Sequence, residues 1–245
     1  MNKGILYISF GKDCDILAAN TIAYSRQFTD LPICVLTNIK NRCNKWNEID
    51  NITFIEVDAK LNENRDYKTK MCFYTPFDET LYLDCDSVIH NKGVEKLFDM
   101  DVDLVLNSLL YWKPADKIIN LYKKAMKLTA ISLPLRVYNG AFILFNKKLE
   151  INKFFKLWNS YWKLTGSGRE MPALACALKN SNLNINILKA GIFAPDYYFP
   201  NSIVQHNYTP NGNKNFFEKF NIPVIQLSKP FDHQGTQKDW TWVYE

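Results

Sequence analysis

Short apolar runs and longer amphipathic stretches take turns along the first half of the chain. Ile5 to Phe10 reads as a strand, Asp15 to Gln27 as a helix, and Ile33 to Thr37 and Ile52 to Val57 as further strands. Tyr67 to Tyr74 reads as a short helix. After Pro76 and Asp78, the apolar run ending at Leu83 has the unbroken hydrophobicity of a strand buried on both faces. This alternation predicts an α/β fold with a largely parallel, doubly wound sheet. Beyond Asp86 the pattern becomes mixed. It predicts a helix at Val94 to Phe98, a strand at Asp103 to Asn107, a helix at Lys117 to Lys127 and a strand at Gly140 to Phe145. A basic helix over Lys147 to Lys163, a helix from Pro172 to Lys179 and strands at Asn184 to Leu188 and Pro223 to Leu227 complete the reading. Asn201 to Asn221, rich in Asn, Gly and Pro, predicts a long loop over a site. With no repeat or flexible linker, the expected architecture is one continuous unit, a Rossmann-like mixed sheet with helices on both faces.

The basic helix needs a separate decision. Ile151, Phe154, Phe155, Trp158, Tyr161 and Trp162 recur at helical spacing, with Lys148, Lys153, Lys156 and Lys163 between them. An amphipathic helix packed on a core accounts for this, and it is preferred here to a helix lying in a membrane surface. Membrane association is therefore expected to be absent or at most peripheral. Pro172 suits the first turn of the next helix, where its missing N–H is not needed.

The chain has 245 residues, 47% hydrophobic and 22% charged, enough for a sizeable core. Its net charge of +5 is modest and spread, so it gives weak support to an anionic ligand and almost none to a nucleic-acid groove, and no nucleic-acid partner is expected. Six cysteines lie singly, mostly in apolar segments, without zinc-site or disulfide spacing. No secretory leader pattern or membrane span is legible, so the expected compartment is the cytoplasm.

The chemistry concentrates in Leu83-Asp84-Cys85-Asp86. Asp-x-Asp spacing also occurs at Asp13/Asp15, Asp99/Asp101 and Asp101/Asp103, but only Asp84 and Asp86 directly follow a buried strand. Ligands of open α/β sheets bind outside the carboxyl ends of the strands, where this pair emerges. Paired hard oxygens suit Mg²⁺ or Mn²⁺, and an added imidazole shifts the preference to Mn²⁺. Phe231-Asp-His-Gln-Gly-Thr-Gln-Lys-Asp-Trp240 offers His233 as that ligand, Gly235 for close backbone approach and Lys238 for phosphate charge. Asp232 and His206 are the alternatives for the third ligand. Ser9 and Asp13, around the turn that closes the first strand, are candidates for the cofactor-binding end of a helix start, with Asp13 or Asp15 as N-cap.

These motifs resemble those of the metal-dependent GT-A glycosyltransferases, and within them the family-8-like retaining group of glycogenin and bacterial galactosyltransferases. In that group His-aromatic-x-Gly-x-x-Lys-Pro-Trp closes the site. Gly235, Lys238 and Trp240 keep its spacing, while Asp239 replaces the proline and Asp232 occupies the histidine place. Thr69-Lys70-Met71-Cys72 is similar to the Thr-Lys-Leu-His stretch before the family's Asp-x-Asp strand, whose lysine contacts the donor. Asn139-Gly140-Ala141 is similar to its Asn-(Ala/Ser)-Gly strand, and Glu170 stands near its Asp-Gln pair.

The resemblance implies residues 1–107 as the donor-binding half and residues 108–245 as the acceptor half with the closing segment. It implies transfer of a sugar from a nucleotide-diphosphate donor, UDP-sugar by preference, to a glycan or other hydroxyl acceptor, with retention. Glu170 and Asn139 would serve the reacting sugar, and Ser9, Asp13, Lys70, Asp84, Gly235 and Lys238 the nucleotide donor. Asp84, Asp86 and His233 would hold Mn²⁺ or Mg²⁺. Two other readings compete. Asp84-Cys85-Asp86-Ser87-Val88 also looks like the first motif of haloacid-dehalogenase-type phosphatases, and an inactive sugar-binding relative would keep the same fold.

Overall fold

The computed structural model describes residues 1–108, 116–132, 137–166, 168–188, 192–195 and 201–206. Its strands are β1 (Lys3–Ser9), β2 (Ile33–Thr37), β3 (Ile52–Glu56), β4 (Glu79–Leu83), β5 (Ser87–Ile89), β6 (Leu104–Ser108), β7 (Tyr138–Asn146), β8 (Ile185–Leu188), β9 (Phe193–Pro195) and β10 (Val204–His206). Its helices are α1 (Lys12–Ser25), α2 (Asn64–Lys68), α3 (Asp116–Thr129), α4 (Leu149–Leu164) and α5 (Met171–Lys179). Seven strands form one sheet in the order β3-β2-β1-β4-β7-β6-β8, and β5-β10-β9 form a small second sheet.

β1 to β4 run parallel, as the alternating pattern predicts. β7 is antiparallel to both β4 and β6, which makes the sheet mixed. The N-terminal end of β7 lies at the same rim as the C-terminal end of β4, with Leu83 opposite Phe142 and the Asp84 N–H donating to the Ala141 carbonyl at 3.1 Å.

Successive side chains of a strand point to opposite faces, and the two cores follow that rule. Ile5 and Tyr7 of β1, with Val35, Leu81 and Leu83, pack under α1. Leu6 and Ile8, with Cys34, Leu36 and Tyr82, pack under α4 and α5. In α4, Ile151, Phe154, Phe155, Trp158 and Trp162 are all buried in this second core. Full burial of such side chains is worth about 1.5–3 kcal/mol each, so the core-packing reading of the basic helix holds for this face.

Several local expectations are corrected. α1 begins at Lys12 behind Gly11, whose φ of +85 suits glycine, and no side chain caps it. Asp15 instead accepts hydrogen bonds from the Trp46 indole and the Cys43 N–H, both at 2.8 Å, which ties down the 3₁₀ turn Asn44–Glu48. The expected helix at Tyr67 to Tyr74 is split into α2 and a 3₁₀ turn at Met71–Phe73. Val94–Asp99 is 3₁₀ and not α-helical. Pro172, expected as the first residue of its helix, is the second residue of α5, still within the first turn. Within the expected loop from Asn201, the described part contains β10, a strand too short to leave a periodic signal. The predicted strand at Pro223 to Leu227 lies outside the described residues. All six cysteines are free thiols. Among the described residues no helix is long and apolar enough to cross a membrane.

Candidate active site

Asp84 is the first residue past β4, and the Ser87 N–H donates to its carbonyl at 2.9 Å, closing a tight turn into β5. Cys85 points the other way, into the core, where its thiol donates to the Ile8 carbonyl at 3.2 Å. α1 grips the same turn: the Thr21 hydroxyl donates to the Cys85 carbonyl at 2.9 Å, and the Ile89 N–H donates to the Ser25 hydroxyl at 3.0 Å. The alternation that buries Cys85 leaves both carboxylates at the rim.

β10 pairs antiparallel with β5, and its register sets His206 opposite Ser87. The imidazole therefore arrives beside Asp86, with Nε2 3.3 Å from Oδ1. Its ring stacks on buried Phe193 of the parallel neighbour β9. One ligand atom each from Asp84, Asp86 and His206 lies within 4.8 Å of the others. Two carboxylates and a buried imidazole form a donor set suited to a divalent ion such as Mn²⁺.

On the other side of Asp84 stands Lys68, from the end of α2. Its ammonium is 3.0 Å from Asp84 Oδ1 and 3.0 Å from Glu170 Oε1. Arg65, one turn earlier on α2, places its Nε 3.5 Å from Glu170 Oε2. Burial works against the charge on Lys68, but Asp84 and Glu170 outweigh it and hold the ammonium above its ordinary range. Burial would likewise raise Glu170, yet Lys68 and then Arg65 hold its carboxyl down at about 2. The Tyr82 hydroxyl donates to Asp84 Oδ1, and burial followed by the Asp84 charge pushes its phenol well above the usual range. Tyr82 thus stays a donor.

Glu170 precedes α5, and its carbonyl accepts the Trp158 indole N–H at 3.1 Å, so α4 fixes it in place. Gly140 makes room for the pair. A Cβ there would sit 3.1 Å from Glu170 Oε1 and 3.3 Å from Lys68 Nζ. Neighbouring Asn139 is buried, and its side-chain oxygen accepts the Ala141 N–H at 2.8 Å.

Among the described residues, three carboxylates (Asp84, Asp86, Glu170) thus meet two permanent cations (Lys68, Arg65). Asp86 is the acid left over, and it faces the imidazole. Three carboxylates against two cations leave one negative charge for a further cation.

The sequence-level candidates are distributed unevenly. Asp84, Asp86, Asn139 and Glu170 converge at the rim, and His206 joins them. Ser9 is fully buried beside the Cys85 thiol, and Asp13 lies half-buried in the first turn of α1. Lys70 pairs with Asp66 one turn back and lies 5.1 Å from the Tyr67 ring. Asp232, His233, Gly235 and Lys238 lie outside the described residues. Lys68, Arg65 and Tyr82 escaped the sequence reading. The available signals were the i, i+3 spacing of Arg65 and Lys68, which shares one helix face, and the i, i+2 spacing of Tyr82 and Asp84, which shares one strand face.

No protein-family model matches the sequence, and no curated protein matches it. Solved structures match over nearly its whole length. A galactosyltransferase, LgtC, in complex with donor and acceptor sugar analogs, aligns with a TM-score of 0.60 at 14% identity, covering 92% of this chain and 96% of that one. The chain has the GT-A fold. Mouse xyloside xylosyltransferase 1 in its apo form gives a TM-score of 0.59 at 8% identity over 85% of this chain and 98% of that one. The glycosyltransferase GlyE of Streptococcus pneumoniae TIGR4 gives 0.60 at 11% identity over 90% of this chain and 61% of that one. At these identities the likeness is one of GT-A architecture.

Proposed function

We propose that this protein is a metal-dependent glycosyltransferase that moves a sugar from a nucleotide-diphosphate donor, by preference a UDP-sugar, to a hydroxyl acceptor with retention. The observation that carries this reading is the meeting of Asp84, Asp86 and His206 within 4.8 Å at the crevice end of the central strand, beside the Lys68–Glu170 pair. Solved proteins of this fold include a galactosyltransferase bound to donor and acceptor sugar analogs.

Asp84, Asp86 and His206 would hold Mn²⁺ or Mg²⁺, which when bound supplies positive charge to the departing diphosphate. Lys68 and Tyr82 orient the Asp84 carboxylate, and each of its oxygens keeps further lone-pair capacity. Glu170 remains ionised and fixed, so it offers negative charge to the oxocarbenium character that develops on a sugar as its glycosidic bond breaks. With both oxygens engaged by Lys68 and Arg65, Glu170 acts here as an electrostatic stabiliser. Asn139, whose side-chain oxygen accepts the Ala141 N–H, is assigned to the reacting sugar on the resemblance. Lys238 and Gly235 are assigned to the diphosphate, Lys70 to the donor and His233 to the metal on the resemblance, and Asp13 to the donor from its place in the first turn of α1; Ser9, fully buried, has no surface to offer the donor. Residues 1–107 form the donor-binding half, and residues 108–245 the acceptor-binding half with the C-terminal segment that closes on the metal and diphosphate. The phosphatase alternative needs its acid after the first strand, whereas Asp84 follows the fourth.

Incubating the protein with a panel of nucleotide sugars, with and without Mn²⁺, tests the proposal. Metal-dependent release of nucleoside diphosphate from one donor, lost in Asp86→Asn, is expected. A protein that binds sugar but no nucleotide under either condition would instead be a lectin-like relative. Release of phosphate from simple esters would favour the phosphatase.

A further inference from the structure

The modest net charge conceals a strong segregation. Residues 104–170 carry twelve Lys and Arg against three Asp and Glu, net +9, which leaves the rest of the chain with eighteen against twenty-two, net −4. The structure gathers much of this excess on one side. On α3, Lys123, Lys124, Lys127 and Leu128 are exposed at the spacing of one helix face. On α4, the face opposite the core runs Leu149, Lys153, Lys156, Ser160, Lys163 and Leu164, all exposed. The two faces meet: Lys124 Nζ is 3.6 Å from the position a Cβ would take at Gly166, two residues past the end of α4.

Part of this charge is answered locally, since Lys153 pairs with Glu150 and Lys163 lies 3.8 Å from Asp66. Lys123, Lys124, Lys127 and Lys156 make no ion pair among the described residues. Among the described residues, three of the six exposed large hydrophobic side chains also lie here, Leu149 at 68%, Leu164 at 52% and Leu128 at 41% exposure.

We propose that the outward face of α3 and α4 docks on an anionic lipid bilayer. Lysines attract such a surface, and leucines projecting between them gain by entering its apolar boundary. That apolar component distinguishes a bilayer from a nucleic acid or another soluble polyanion, which would use the charge alone. α4 leads into the segment that carries Glu170, whereas α3 leads into β7. The surface itself stands independently of the proposed transfer reaction.

The test is co-sedimentation of the full chain with phosphatidylcholine vesicles, with and without phosphatidylglycerol. Binding to the anionic vesicles only, weakened by salt, is expected. Lys123→Glu/Lys124→Glu/Lys127→Glu should reduce partitioning more than ~10-fold, since each lysine contributes near an anionic surface. Leu128→Ser/Leu164→Ser should reduce it several-fold, and Lys40→Glu, on the loop after β2, should leave it unchanged. Thermal melting shows that each variant is folded. Equal binding to neutral vesicles, no binding to anionic ones, or loss of binding in Lys40→Glu would overturn the proposal. So would full binding by the leucine variant, which would mark a surface for soluble polyanions.

Discussion

The Lys68 ammonium lies 3.0 Å from Glu170 Oε1 while also touching Asp84 at 3.0 Å, so one buried cation joins α2 to the end of β4 and to the start of α5. Breaking one partner of such a pair leaves an uncompensated charge and costs about 3–5 kcal/mol. Lys68→Met should therefore destabilise the fold by that order in urea denaturation and abolish donor turnover. Wild-type stability in this variant would mean that the pair does not form in solution.

Asp84 and Asp86 are predicted to differ, although they are one residue apart. Among the described residues Asp86 has no such permanent cation beside it, so Asp86→Asn should cut turnover at least ~10²-fold, as expected on losing a metal ligand, with little change in stability. Asp84→Asn should lose both activity and stability, because it removes one of the two anions facing Lys68. Parallel melting and turnover measurements distinguish the two, and equal stability losses would contradict this division.

His206 is placed by β10, and His233 is suggested by the resemblance alone. His206→Ala is expected to weaken Mn²⁺ binding at least ~10-fold, in line with the loss of a ligand interaction, while His233→Ala should weaken it less. Calorimetric titration with Mn²⁺ decides the order. Retention of wild-type affinity in His206→Ala would remove it from the site.

Glu170 ties stability to acid. Its carboxyl is lowered from an ordinary 4.5 to about 2, so its contribution is complete above the ordinary value and is lost as pH falls through the folded one. Glu170→Gln should be less stable than wild type at neutral pH, with the gap narrowing between those two values. Lys68, shifted upward, keeps its contribution throughout that window. A gap independent of pH in chemical denaturation would show that the Glu170 carboxylate is not held by these cations.

Gly140→Ala tests the close approach. A methyl group 3.1 Å from Glu170 Oε1 and 3.3 Å from Lys68 Nζ must push the pair aside. Displacement of catalytic groups by fractions of an ångström is costly, so turnover should fall more than ~10-fold. The stability loss should be about 1–2 kcal/mol, within the usual range for overpacking. Unchanged turnover would separate the pair from the reacting sugar.

Hydrophobic patterning alone was enough for β1, β2, β4, α1 and α4, because strands buried on both faces and helices with one buried face write their periods into the residues, and the apolar positions of β3 sufficed although this edge strand is only partly covered. The Asp84/Asp86 pair was legible for the same reason: it ends the apolar run of β4. Tertiary structure decided which cation faces Asp84. Lys70 lies two residues past the end of α2 and pairs with Asp66, so the motif match at Lys70 could not reveal the ion pair at Lys68. It also decided the imidazole. β5 and β10 are three-residue strands without a periodic signal, and only their register carries His206 across more than a hundred residues to Asp86. The total charge, likewise, was known from composition. Its gathering on the outward faces of α3 and α4 depends on which sides of those helices the core buries.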